Sequence, residues 1–286
     1  MAFPLMPGAY NPPDQPEEEK RMLRLPSRFY RTIPLSAMGY EFEEVSLDEK
    51  RTALVVMHCW DIGCEGGQSI DERYWVGMGS REATAEASRI MWEVIRPLMD
   101  AARAAGVTVC HVESADIAAR HLEALADDDY PQQNPGAADA REPVVPGWRE
   151  KIEARSHGEG YATNPPYCGK DRASVVAPLP GEPFVYQTGQ MHRALRSLGI
   201  ENLIYTGFAT DMCILRAPGG IEQMAPYGYR LFLVRDATLG VEFLDTIEER
   251  LATRWAVRYF ETHYGNTVLA ADLRRAFEDA ARKTRG

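Results

Sequence analysis

The sequence predicts a three-layer α/β/α fold with a mainly parallel central sheet, and three observations carry that reading. Short apolar runs such as "TALVVMH" at 52–58 are continuous rather than alternating, as in strands covered on both faces. These runs alternate along the chain with segments of helical periodicity, the order that builds parallel sheets. The stretch "LIYTGFATDMCILRA" at 203–217 sets an apolar strand, a short turn and a helix start in immediate succession.

Taken in order, the elements are these. Residues 1–50 read as a proline-rich N-terminal arm: Pro4, Pro7, Pro12, Pro13 and Pro16 block helix and sheet pairing, and the acidic run Glu17–Glu19 follows. Composition leaves two readings of it open, a disordered tail or an arm that wraps a neighbouring subunit. Residues 51–286 form the α/β domain, beginning with the strand at 52–58. Residues 80–105 predict a helix with Ser80 as its cap. Ile90, Met91, Val94, Leu98 and Ala102 keep helical spacing, and Gly106 is placed to end it.

"VTVCHV" (107–112), "PFVYQ" (183–187), "NLIYTG" (202–207) and "RLFLVRDAT" (230–238) supply four further strands. A short helix, "MHRALRSLGI", follows the third strand, and another begins near Asp211. Pro218-Gly219-Gly220 is expected to break or kink it. The helix at 246–263 is expected to present Ile247, Leu251, Trp255 and Phe260 on one side. Between the second and third strands lies a long polar region, 113–180. A connection of that length is expected to cover the carboxyl ends of the strands, where open α/β sheets bind ligands.

Composition narrows the function. The chain has 286 residues and a net charge of −10, which argues against a phosphate-backbone partner, and no Lys/Arg cluster contradicts it. No apolar run reaches the length of a membrane span. The first twenty residues have no basic and apolar leader pattern. Five cysteines without regular spacing argue against a disulfide framework and for a reducing, cytoplasmic setting. "GMGS" at 77–80 lacks the Gly–Lys–Ser/Thr of a phosphate loop.

The chemistry concentrates at Cys213. A cysteine in the first turn of a helix sits near partly positive N–H groups, which favour the thiolate. Thr206-Gly207-x-x-Thr210-Asp211-x-Cys213, together with "TALVVMHCWDIG", "PLPGEPFVYQTG" and "YGYRLFLVRDAT", resembles the isochorismatase-like cysteine hydrolases. That family includes nicotinamidases and carbamoylsarcosine and ureido-compound amidohydrolases, and the likeness covers roughly residues 51–275. The resemblance implies the three-layer fold and a homo-oligomer, dimer or tetramer. It also implies a triad of an aspartate ending the first strand, a lysine ending the third and the nucleophilic cysteine. Attack on an amide, imide or ureido carbon would form a thioester. The N–H groups of Met212 and Cys213 are the oxyanion donors it suggests, often beside a cis peptide.

Two triad positions depart from the pattern. His58 stands where the aspartate is expected and Gln187 where the lysine is expected. Histidine accepts a thiol proton, so a Cys213/His58 couple is one reading. Asp61, three residues on, is the other candidate base or an orienting carboxylate, and Gln187 is left to orient His58 or donate to an oxyanion. Trp60, Thr210, Met212 and His111 are candidate substrate contacts. His111 and Glu113 fall short of a metal-ligand set, and no metal is implied. Lys170, the nearest lysine before the third strand, is either a stand-in for the missing cation or a solvated surface charge. The functional expectation is a cysteine-dependent hydrolase of a small-molecule C–N bond, a reading that calls for no cofactor. The alternatives are a silent family member that binds a ligand or a subunit, and an isochorismatase-type vinyl-ether hydrolase.

Overall fold

The computed structural model describes residues 21–69, 71, 77–121, 143–161 and 167–285, with side chains to 283. Its strands are β1 (Met22–Arg31), β2 (Gly39–Asp48), β3 (Thr52–Met57), β4 (Thr108–Val112), β5 (Phe184–Val185), β6 (Asn202–Phe208), β7 (Arg230–Leu239) and β8 (Gly265–Val268). Among the described residues they form one sheet in the order β2-β1-β8-β7-β6-β3-β4-β5. From β8 to β5 the pairing is parallel, while β1 runs antiparallel to β2 and to β8.

The expected parallel core is present, and the order in which its strands lie decides the site. β3 is flanked by β6 and β4, with Met57 level with Gly207 on one side and Val112 on the other. The carboxyl ends of these three strands therefore open side by side.

Helices cover both faces. α1 (Arg81–Ile90) runs through a π-helical turn at Met91–Ile95 into α2 (Arg96–Ala105). Ser80 caps the start, its Oγ accepting from the Ala83 N–H at 3.0 Å, and Gly106 ends it at φ 75°. α3 (Ala115–Ala118) and α4 (Trp148–His157) lie in the long connection to β5. α5 (Thr188–Ser197), α6 (Cys213–Arg216), α7 (Ile221–Met224), α8 (Leu251–His263) and α9 (Ala270–Arg285) follow. Leu54 and Val56 of β3 face α1, α2 and α9, whereas Val55 and Met57 face the side of α5 to α8. A strand buried on both faces reads as a continuous apolar run for that reason.

Three expectations change. Residues 21–50, grouped with the arm from the proline content before them, are instead the β1–β2 hairpin at the edge of the sheet. Leu23, Leu25, Val45 and Leu47 are buried against the core in period-two alternation, and Pro26 sits at an exposed position of β1. Residues 1–20 lie outside the described residues. The helix expected from 246 starts at Leu251, and its buried stripe is Thr253, Ala256, Val257 and Phe260. Leu251 and Trp255 are exposed, because a strict four-residue row drifts off the face that a 3.6-residue helix buries. The third strand is shorter than 183–187, keeping only Phe184 and Val185.

Gly207 locks β6 to β3. Its φ is 108°, and a Cβ there would meet the Met57 carbonyl oxygen at 2.0 Å. We expect Gly207→Ala to destabilise the protein by about 3 kcal/mol or more. Chemical denaturation of the purified variant checks this, and wild-type stability would refute the account of this junction.

Candidate active site

The turn after β6 is fixed before any chemistry is considered. Thr206 Oγ1 donates to the Val55 carbonyl at 3.0 Å, and Thr210 Oγ1 and Thr238 Oγ1 lie 2.7 Å apart. The Thr210 N–H reaches the Leu239 carbonyl at 3.0 Å, and the Asp211 carboxylate accepts from the Val241 N–H at 2.9 Å. The Phe208–Ala209 peptide is cis. Ala209 O accepts from the N–H groups of Met212 and Ile214, both at 3.1 Å. Cys213 is thus delivered as the first residue of α6, with its thiol on the wall of a cavity of about 340 Å³.

His58 lies on the same cavity. Its backbone takes the left-handed conformation, φ 48°, and its N–H bonds the Val112 carbonyl at 2.9 Å, so the chain turns as soon as β3 ends. The ring stacks on Trp60 with centroids 5.4 Å apart. Trp60, Tyr161, Tyr167 and Phe208 make the cavity mostly aromatic; Met212 closes one side, and Glu153 and His157 of α4 reach it from the long connection. Within the described residues, that connection does cover the strand ends.

The residue that sequence reasoning underweighted is Lys170. Residues 59–61 pair with 171–173 in a short antiparallel zip: the Ala173 N–H reaches Cys59 O at 2.8 Å, and the Asp61 N–H reaches Asp171 O at 2.8 Å. The zip carries Lys170 inward, where it is only 6% exposed. Its Nζ lies 2.5 Å from Asp116 Oδ2 and 4.7 Å over the Trp60 ring, and its carbonyl accepts from Arg120. A cation that the third strand fails to supply therefore arrives from a loop.

The other candidates are placed as follows. Asp61 does not line the Cys213 cavity; its Oδ1 accepts from the Asp171 N–H at 2.8 Å, and it borders a smaller cavity with Cys64 and Arg172. Gln187 is the N-cap of α5, with its carbonyl taken by the Met191 N–H. Thr210 is fully buried, with its hydroxyl spent on the turn. His111 is held at 3.0 Å by Glu182, which also grips Arg103. None of these three is on the cavity wall, whereas Trp60 and Met212 are. The Met212 N–H, expected as an oxyanion donor, is already given to Ala209 O.

Burial dominates the electrostatics. It pushes the Cys213 thiol up; the Ala209 N–H and Lys170 pull the other way, and Asp211 and Glu113 add to the rise. The sequence expectation of a thiolate favoured by a helix start is overridden, because α6 is only four residues long and the thiol is desolvated. Burial, reinforced by Lys170, pushes His58 down to about 4. Burial also raises the Asp116 carboxyl, but the bond from Lys170 and the nearby Ser114 hydroxyl outweigh it and hold Asp116 below its ordinary range. At neutral pH the site therefore rests as a thiol beside a neutral imidazole, with Lys170 and Asp116 as its ion pair.

The family model described as the isochorismatase domain matches residues 71–268, most of the chain. The protein belongs to the isochorismatase family. Ureidoacrylate amidohydrolase RutB of Azorhizobium caulinodans is 26% identical over 257 residues, covering 82% of this chain and 94% of that one. The enzyme of the same name from Caulobacter vibrioides is 23% identical, covering 84% and 96%. A crystal structure of a cysteine hydrolase from Pseudomonas syringae pv. phaseolicola superposes with a TM-score of 0.50 at 15% identity, covering 82% of this chain and 95% of that one. The family member described here retains the three-layer fold. Among its described residues, no helix is long and apolar enough to cross a membrane.

Lys170 offers a direct test of this electrostatic account. We expect Lys170→Met to shift Cys213 ionisation to higher pH and to slow its alkylation roughly threefold to tenfold at pH 7. Peptide-level mass spectrometry of iodoacetamide-treated protein reads this. An unchanged rate–pH profile would place Lys170 outside the thiol's field.

Proposed function

We propose that the protein is a cysteine-dependent hydrolase that cleaves the C–N bond of a small amide, imide or ureido compound through a thioester on Cys213. The observation that carries this reading is the place of Cys213. It opens, with His58, on an aromatic-walled cavity at the carboxyl ends of the parallel strands. The relatives named as ureidoacrylate amidohydrolases support a C–N bond as the target.

In this reading the Cys213 Sγ attacks the carbonyl carbon as the thiol proton passes to His58. The carbonyl electron pair moves to oxygen, where the Cys213 N–H and the field of Lys170 oppose the growing charge. The intermediate collapses, the C–N bond breaks, and His58 returns its proton to the departing nitrogen. Water then attacks the thioester, gives a proton to His58, and the C–S bond breaks to restore the thiol. Neutral His58 is suited to accept that proton, since at rest it carries none. Trp60 and Met212 act as walls for a flat substrate.

The resting thiol also gives the silent-binder reading a specific footing, because burial disfavours the thiolate. Turnover separates the readings. Against a panel of amides and ureido acids, Cys213→Ala is expected to lose activity by at least about a thousandfold, and wild type to show an acyl adduct by intact mass. Full activity in the variant would overturn cysteine catalysis and point to vinyl-ether hydrolysis. Binding without turnover in wild type would point to the silent protein.

The same reading places the enzyme in the cytoplasm as a homo-oligomer. Cys59, Cys64, Cys110 and Cys213 are free thiols, and Ile33, Leu35, Met38 and Phe42 leave an exposed apolar strip along the β1–β2 hairpin that a second copy would cover. Light scattering is expected to give a dimer or tetramer mass; a monomer would remove this part.

A further inference from the structure

Three adjacent parallel strands end in chemically complementary residues. β6 leads to Cys213, β3 leads directly to His58, and β4 leads directly to Glu113. Met57 and Val112 are level in the register, so His58 and Glu113 are the next residues after neighbouring strands. The nucleophile, the imidazole and the carboxyl therefore stand in that order across the sheet.

Glu113 has no role in the steps above, yet its burial calls for one. It is 4% exposed, and its Oε2 is a buried oxygen without a hydrogen-bond partner. The His58 Nδ1 and the Trp60 Nε1 are also buried and lack partners. The Glu113 main-chain carbonyl faces the His58 ring, and the Trp60 indole N–H approaches the Glu113 carboxyl short of a formed bond. Unpaired buried polar atoms are rare, and here three belong to residues at the ends of two neighbouring strands. Because Nδ1 is the buried ring nitrogen, Nε2 is the one left to face the cavity.

We propose that Glu113 is the positioning residue for His58, so that the site works as a Cys213–His58–Glu113 relay built across three neighbouring strand ends. The inference rests on the cysteine-hydrolase reading. The Sγ–H bond of Cys213 breaks and its proton moves to His58 Nε2. The imidazolium Nδ1–H then donates to the Glu113 carboxylate, which orients the ring and balances its charge. The proton later leaves on the departing nitrogen. Glu113 fills this role as a carboxylate, its own proton having been released to solvent before the thiol ionises.

The charged surroundings agree. Burial pushes Glu113 up to about 8; Arg172 and the Trp60 N–H oppose the rise, while Asp171 and Asp116 add to it. Lys170 and Asp116 are the charged groups that act on His58. One group pushed up and its neighbour pushed down form a pair poised to trade a proton. Thiolate formation should then follow the ionisation of Glu113 rather than that of an isolated buried thiol.

The test is iodoacetamide alkylation, followed at the Cys213 peptide from pH 6 to 10. It compares wild type, Glu113→Gln and Glu113→Asp, each with and without His58→Ala. The wild-type rate is expected to rise with a midpoint near 8, following Glu113. Glu113→Gln should lose that rise and react at least about tenfold slower at pH 8. Glu113→Asp should restore part of it, and Glu113→Gln should add nothing in the His58→Ala background. A wild-type profile in Glu113→Gln, or the same slowing without His58, overturns the relay. Should Glu113→Gln fail to fold, Glu113→Asp decides, because an unmoved midpoint would also overturn it. Alkylation reads the thiolate and not turnover, so a Cys213→Ala enzyme that still hydrolyses would overturn the proposed function independently of this result.

Discussion

An ammonium group buried at the end of a parallel sheet is stable only with a partner, and the ion pair between Lys170 and Asp116 is the contact on which the rest of this site depends. The two residues come from opposite ends of the long connection between β4 and β5. Pairing them brings the described ends of that connection together over the strand ends. The zip between 59–61 and 171–173 then has its two edges in place, and it fixes Trp60, on which His58 stacks. Desolvation follows as a consequence. With the connection closed, His58, Glu113 and Cys213 lose water, and each is driven toward its uncharged form.

The parts of the fold legible in the sequence were those specified locally. Strands buried on both faces advertise themselves as apolar runs, and Ser80 and Gly106 bracket a helix by short-range hydrogen bonding and backbone freedom. The β1–β2 hairpin had a local signal too, the alternation of Leu23, Leu25, Val45 and Leu47. It was masked by the prolines before it and by Pro26 within it. β8 is four residues long and leaves too short a pattern to stand out.

The site was legible only in part, for a different reason. Cys213 and His58 follow strands directly, so their positions were fixed once the strands were. Lys170 sits in a polar loop with nothing local to distinguish it from a solvated lysine; its burial is decided by Asp116, 54 residues away. Asp61 shows the converse. Three residues beyond a strand it looked like a displaced base, but the zip turns its carboxylate toward the Asp171 N–H. Short-range patterns report where a backbone goes, while the direction of a loop side chain is set by contacts distant in sequence.

The family appearance of a motif and its chemical content are separable in this molecule. Thr206, Gly207, Thr210 and Asp211 are spent on holding a turn, through hydroxyl, carboxylate and close backbone contacts, and only Cys213 of that stretch offers a reactive atom to the cavity. A frame of this kind fixes one vertex of the site and leaves the others free to come from elsewhere. Replacing a charged triad by His58 and Gln187 therefore does not empty the site of charge. The positive charge enters from the loop as Lys170, and a carboxyl stands one strand further along as Glu113. Because the strands are parallel and level, moving a function from one strand end to the next changes its position by only about 5 Å. That distance is short enough for a side chain of different length to span, so a three-layer fold can redistribute its catalytic groups while the cysteine turn stays as it is.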